Sequence, residues 1–196
     1  NRTRIALFDL DHTLLPIDSD FTWTTFTNAK GWTDPEATQR QNDAFYADYK
    51  AGQLDMDAYT RFVTRAVQGL PLEQLRAVQA EYSRDYIQPH ILPAALELLE
   101  KHRQAGDVLV LTTATNRFIA GPVGRMLGFA DDHIVATELM HSTEGHITGA
   151  MRGPANLREG KVQHFAAWLT ARGWQRDDVH VVFYSDSKIG RASCRE

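Results

Sequence analysis

The sequence predicts an α/β fold: a doubly wound, Rossmann-like parallel sheet interrupted by an all-helical insert. Two observations carry the sheet. Four short runs are almost continuously apolar, as strands are when helices cover both faces, and amphipathic helical stretches separate the last three of them. A third observation carries the insert: from residue 14 to about residue 90, apolar residues recur at helical spacing.

Arg4 to Leu10 (RIALFDL) reads as the first strand. In the insert, Ala44, Phe45 and Tyr49, then Tyr59, Phe62, Val63, Ala66 and Val67, mark helix faces, with Gly52, Gly69 and Pro71 as punctuation. These aromatics read as helix core rather than as a cofactor-stacking surface. PAALELLEKHRQAG has Pro93 near its first turn and stops at Gly106, which predicts a helix before the second strand, Asp107 to Thr113. NRFIAGPVGRMLG, ending at Gly128, predicts the next helix, and His133 to Thr137 the third strand. Residues 138–151 (ELMHSTEGHITGAM) place a Glu-Gly turn between short alternating runs and predict a β-hairpin. REGKVQHFAAWLTARG, ending at Gly173, is the last helix, and Val179 to Tyr184 the fourth strand. The expected organisation is a discontinuous core of residues 1–13 and 91–187, a helical domain over 14–90, and a tail over 188–196.

The chain has 196 residues, 43% of them hydrophobic and 23% charged, enough for a substantial core. A net charge of -4 with scattered basic residues argues against nucleic acid or an anionic membrane as a partner. No apolar run reaches membrane-spanning length and no signal-like segment opens the chain, so the expected location is cytoplasmic. The single cysteine, Cys194, excludes internal disulfides and CxxC metal sites. His133, His141, His146, His164 and His180 show no zinc-ligand spacing and are expected on the surface or in loops.

Ligands of open α/β sheets bind at the carboxyl ends of the strands. There this sequence collects Asp9, Asp11 and Thr13 after strand one, Thr112, Thr113 and Thr115 after strand two, and Ser185, Asp186 and Ser187 after strand four. Lys161 opens the helix that precedes strand four. Carboxylates two apart on an extended segment share a face and repel, so Asp9 and Asp11 call for a cation, a shared proton or exposure to water. Three acids at one rim favour a hard cation such as Mg2+, which takes one or two carboxylates and shares a phosphate oxygen. The hydroxyls and Lys161 suit the remaining phosphate oxygens.

DLDHT at 9–13, the threonine of strand two, Lys161 within REGKVQHF and YSDS at 184–187 together resemble the four motifs of the haloacid dehalogenase (HAD) superfamily. The helical insert resembles the subgroup (subfamily IB) that holds phosphoserine phosphatases and histidinol phosphatases. The resemblance implies a phosphomonoester hydrolase working through an aspartyl phosphate. Asp9 would be the nucleophile and Asp11 the general acid and base. Thr113, with Thr112 as its neighbour in register, would bind phosphate. Lys161 would neutralise Asp9 and the phosphoryl group. Asp9, the backbone carbonyl of Asp11, and Asp186 would hold Mg2+. Asp18 stands where phosphoserine phosphatases carry an acid that binds the substrate amine, so a small aminated phosphate ester, phosphoserine or histidinol phosphate, is implied. The competing reading of Asp18 is a helix cap. Arg61 and Arg65 are candidates for a substrate carboxylate without a family match.

One departure concerns the fourth motif, whose usual second acid is replaced by Gly190. Residues 188–196 (KIGRASCRE) back-translate to a run like a sequencing-adapter read, so they are expected to be a cloning or assembly scar, with weak Mg2+ binding as the consequence. A phospho-accepting signalling domain and a non-catalytic binding module are the two competing functional classes.

Overall fold

The computed structural model describes residues 2–186. Strand β1 (Thr3–Asp9) is followed by four helices, α1 (Ser19–Ala29), α2 (Pro35–Lys50), α3 (Met56–Thr64) and α4 (Leu72–Tyr82). A π-helical turn (Ser83–Ile87) and a 3-10 turn (Gln88–His90) lead into α5 (Pro93–Gln104). Then come β2 (Val108–Asn116), α6 (Arg117–Met126), β3 (Ile134–Thr137), the hairpin strands β4 (Leu139–His141) and β5 (Ile147–Met151), α7 (Glu159–Ala171) and β6 (Val179–Tyr184). The main sheet runs β3-β2-β1-β6 and every pair in it is parallel; β4 and β5 pair antiparallel in a separate ribbon. The expected Glu144-Gly145 turn joins them, with Gly145 at φ 86°, a conformation cheap only for glycine.

Helix starts follow local chemistry. Asp18, Asp34, Asp55 and Asn116 each accept a backbone N–H of the first turn of α1, α2, α3 and α6, satisfying donors that have no partner within the helix. Pro35 and Pro93 sit at first-turn positions, where a missing N–H costs nothing.

Alternate residues of the strands enter two cores. Ala6, Phe8 and Leu111 face one side, while Ile5, Leu7, Val110 and Val179 face the other, against Trp168 and Leu169 of α7. The first core does not stop at the sheet: it continues through Trp23, Phe26, Phe62, Val63, Leu75 and Tyr82 of the inserted helices. Trp23 meets Phe118 of α6 edge-on at 5.6 Å, an aromatic geometry that adds to the burial itself.

Two expectations are corrected. The second strand does not stop at Thr113: β2 runs to Asn116, with an irregularity in its pairing to β3 between Thr112 and Asn116. Helix α3 stops at Thr64, short of Ala66 and Val67, where the Thr64 hydroxyl donates to the Thr60 carbonyl at 2.7 Å and competes with continued helical pairing. Ser187, Gly190, Cys194 and the tail expected over 188–196 lie outside the described residues.

Candidate active site

The loop leaving β1 turns back at once, with the N–H groups of Leu14 and Leu15 both donating to the Leu10 carbonyl at 3.0 Å. His12, at the centre, has φ 56°, a left-handed value that histidine adopts more readily than most residues. This turn sends the two aspartates into different surroundings.

Asp9 stays at the rim. Its Oδ1 lies 3.2 Å from Lys161 Nζ and accepts the Leu10 N–H at 2.9 Å; its Oδ2 accepts the Ser185 hydroxyl at 3.3 Å. The lysine arrives because α7 begins in a tight corner. Arg158 has φ 54° and ψ −120°, a sparsely populated conformation of the sort that clusters at functional sites. Gly160 packs so closely that a Cβ there would stand 2.1 Å from the Ala155 carbonyl oxygen. Arg158 also reaches the insert, its guanidinium 5.5 Å from the Tyr49 ring centroid and 3.3 Å from the Tyr49 carbonyl.

Asp11 turns inward. Its Oδ1 accepts the Ser19 N–H at 2.8 Å and its Oδ2 the Thr115 hydroxyl at 3.1 Å; the hydroxyls of Ser19 and Thr115 are 3.0 Å apart. Burial, reinforced by the charge of Asp18 and partly opposed by these hydrogen bonds, pushes the Asp11 carboxyl up to about 6. A carboxyl of that strength keeps a protonated fraction near neutral pH and releases the proton readily, which suits a general acid.

At the end of β2 the two candidate threonines part company. Thr112 is the register partner of Asp9, and its hydroxyl accepts from Asn156 Nδ2 at 3.0 Å. The Thr113 hydroxyl accepts the Thr115 N–H at 3.2 Å, which leaves its own proton for another oxygen. Both threonines are buried. Asn156, fully buried, also donates to the carbonyls of Thr113 and Val135, takes its backbone N–H to the Thr137 hydroxyl and pairs through Oδ1 with His164. It ties the ends of β2 and β3 to the segment that carries Lys161.

Asp186 is exposed and lines a cavity with Ser185, Tyr184, Phe183, His12 and Thr13. The Thr13 hydroxyl is buried without a hydrogen-bond partner. Asp18 is exposed, with Oδ1 occupied by the Phe21 N–H at 2.9 Å, so it caps α1. Arg65 donates to the Phe62 carbonyl and the Thr38 hydroxyl and lies over the Phe62 ring, while Arg61 is exposed. Asp9, Lys161, Ser185 and Asp186 are thus brought to one rim and Asp11 and Thr115 to its inner wall; Arg65 is drawn into the insert.

A hard cation is compatible with the donors present. Among the described residues no three acids or histidines gather into an all-protein cage, but Mg2+ does not require one. One or two carboxylates, a carbonyl, water and a substrate oxygen are its usual partners, and Asp9, the Asp11 carbonyl and Asp186 offer that set.

The profile of the haloacid dehalogenase-like hydrolases matches residues 6–188. The chain belongs to this family. The hydrolase is 37% identical over 185 residues to a histidinol-phosphatase of Neisseria meningitidis serogroup C, covering 94% of this chain and 82% of that protein. A crystal structure of a Bordetella pertussis protein of unknown function superposes with a TM-score of 0.83 at 35% identity, covering 93% and 82% of the two chains. A substrate-bound phosphoserine phosphatase shares the fold at a TM-score of 0.57 and 19% identity, covering 93% and 78%. The chain is therefore an enzyme of the phosphatase type. No helix among the described residues is long and apolar enough to cross a membrane.

Several residues of this hydrolase's site carry no local sequence signal. Ser19 and Asn156 reach it from outside the motifs, and His164, inside REGKVQHF, was expected only as a surface or loop histidine. Thr115 was visible at the end of strand two, but its contact with Asp11 spans 104 positions.

Proposed function

We propose that this hydrolase is a Mg2+-dependent phosphomonoesterase that works through an aspartyl phosphate on Asp9, with residues 14–90 acting as a cap over a core of 1–13 and 91–187. The observation that carries the reading is the split between the two aspartates. Asp9 is a part-buried rim carboxylate beside Lys161, and Asp11 an inward-turned carboxyl of raised pKa two positions away, held by Ser19 and Thr115. One suits a nucleophile, the other an acid.

In the first step an Asp9 carboxylate oxygen attacks phosphorus, the ester P–O bond breaks, and the leaving oxygen takes the Asp11 proton. In the second, water attacks the same phosphorus, Asp11 accepts its proton, and the acyl-phosphate bond breaks to return Asp9 and inorganic phosphate. Lys161 offsets the negative charge of Asp9 and the phosphoryl group, and Thr113 donates to a phosphoryl oxygen. Asp9, the Asp11 carbonyl and Asp186 would hold the Mg2+, which supplies charge neutralisation for the phosphoryl oxygens.

For the substrate we favour histidinol phosphate over phosphoserine. The 37% identical relative is a histidinol-phosphatase. Arg65, a candidate partner for the carboxylate that phosphoserine carries, is engaged by Thr38 and Phe62.

The test is phosphate release from a panel of phosphomonoesters with and without Mg2+. Asp9→Asn is expected to abolish turnover, a fall of at least about a thousandfold, as loss of a nucleophile does. Undiminished release by this variant would refute the mechanism.

A further inference from the structure

Thr115 is buried and stands in the stretch of β2 where pairing to β3 is irregular, between Thr112 and Asn116. Such irregularities occur next to active sites, where they re-aim a side chain, and here the Thr115 hydroxyl donates to Asp11 Oδ2 at 3.1 Å. Asp11 Oδ1 is held by a second element, accepting the Ser19 N–H at the start of α1 at 2.8 Å. Ser19 is itself fixed. It is fully buried, its carbonyl accepts the Tyr82 hydroxyl of α4 at 2.6 Å, and its own hydroxyl lies 3.0 Å from that of Thr115. Sheet and insert thus each supply one donor to one carboxyl, and Thr115 has no part in the phosphoryl-transfer steps described above.

We propose that Thr115, backed by Ser19, is the positioning residue of the general acid: it sets the direction in which Asp11 presents its proton to the leaving oxygen. The inference rests on the phosphomonoesterase reading above. The terminal torsion of an aspartate is broad, so the Ser19 N–H alone would leave the plane of the carboxyl loosely set, and a donor on the other oxygen fixes it. That matters because an acid works only within hydrogen-bond reach of the atom it protonates, and small misplacements are costly in rate. Both donors are uncharged. A cation in the place of Thr115 would hold Asp11 as firmly but would favour its ionised form. A hydroxyl both donates and accepts, so Thr115 stays bonded to Asp11 with or without the proton by turning its own proton toward Ser19. The two donors use two of the four lone-pair positions of the carboxylate, which leaves the others for the transferred proton.

The experiment compares two esters that share a ring and differ in the leaving oxygen: p-nitrophenyl phosphate, whose phenolate departs without a proton, and p-nitrobenzyl phosphate, whose alkoxide needs one. The quantity is kcat/KM, which covers departure of the leaving group and leaves out hydrolysis of the aspartyl phosphate. Thr115→Val keeps the branched shape and removes the hydroxyl, and its loss is expected to be at least about tenfold greater on the benzyl ester than on the phenyl ester. Thr115→Ser, which restores a hydroxyl, is expected to recover most of that difference, and Ser19→Ala, which keeps the N–H, to show a smaller one. Circular dichroism confirms that each variant is folded. Loss of a hydroxyl that merely satisfied a buried carboxylate would lower both esters alike. Equal losses in Thr115→Val, or no recovery in Thr115→Ser, therefore overturn the proposal. Asp11→Asn separates this result from the acid assignment itself: it is expected to show the same preference on a larger scale, and equal losses there would refute Asp11 as the acid. No phosphate release by the wild-type chain from any ester of the panel overturns the phosphatase reading and the role of Thr115 with it.

Discussion

Asp11 shows how one side chain can serve chemistry at the expense of stability. Its folded pKa of about 6 lies above the ordinary carboxylate value of 3.8, so between those two values the folded chain binds more protons than the unfolded one. Stability therefore falls as pH rises through that window and stays reduced above it. The deficit is on the order of 3 kcal/mol. Asn at this position keeps an acceptor for the Ser19 N–H and offers a donor to Thr115 without the buried charge. Asp11→Asn is expected to melt roughly 6–12 °C higher than wild type above pH 7, with the gap closing below pH 4, while activity drops at least about a hundredfold. Melting scans across pH check the first part, and a constant gap at all pH values would refute it. The neighbouring threonines make a second residue-scale contrast. Thr113→Val removes the hydroxyl proposed to donate to a phosphoryl oxygen and is expected to lower kcat/KM at least about tenfold. Thr112→Val removes one of several acceptors of Asn156 and is expected to lower stability by about 1 kcal/mol with a smaller kinetic effect. The reverse pattern in paired kinetics and denaturant titrations would exchange their roles.

At the scale of the element, the start of α7 is the part with least tolerance. Lys161 meets Asp9 only because the chain turns through a left-handed Arg158 and a glycine that touches the Ala155 carbonyl. The obstacle at Gly160 is backbone, which cannot rotate away as a side-chain end could. Gly160→Ala is expected to shift the first turn of α7, lengthen the Lys161–Asp9 contact and reduce kcat/KM at least about tenfold, although alanine is the better helix former by about 1 kcal/mol. Wild-type kinetics in this variant would show that the corner is not under constraint. Asn156, just upstream of α7, makes four hydrogen bonds with β2 and β3 that fasten the lysine segment to the carboxyl ends of those strands.

Across the whole molecule, the inserted helices and the sheet share one apolar core. Trp23 of α1 is fully buried, donates to the Val63 carbonyl at 2.7 Å and touches Phe26, Tyr82 and Phe118. Unfolding the insert alone would expose this cluster, so calorimetry is expected to record a single transition. Trp23→Ala is expected to lower stability by about 3–5 kcal/mol and to move that one transition. Two resolved transitions would show that insert and sheet unfold separately. Sharing of this kind also means that residues 14–90, set apart in the sequence by their helical spacing, are continuous with the rest in packing.

The strands, the helices between them and the placement of Asp9, Asp11, Lys161 and Asp186 near strand ends were legible in the sequence. Apolar runs, capping residues and turn glycines act on neighbours a few positions away, and such local preferences survive in a linear reading. The family motifs were legible for the same reason, each being short and in fixed order. What only the tertiary structure decided is the condition of each acid: Asp9 beside an ammonium, Asp11 turned inward against Thr115, Asp18 spent on a helix end, Asp20 held by Tyr59 with one oxygen buried and unpaired. All four are the same side chain within a dozen positions. Their differences come from burial and from partners up to 176 positions away, and dehydration and Coulomb interaction depend on distance in space rather than on distance along the chain.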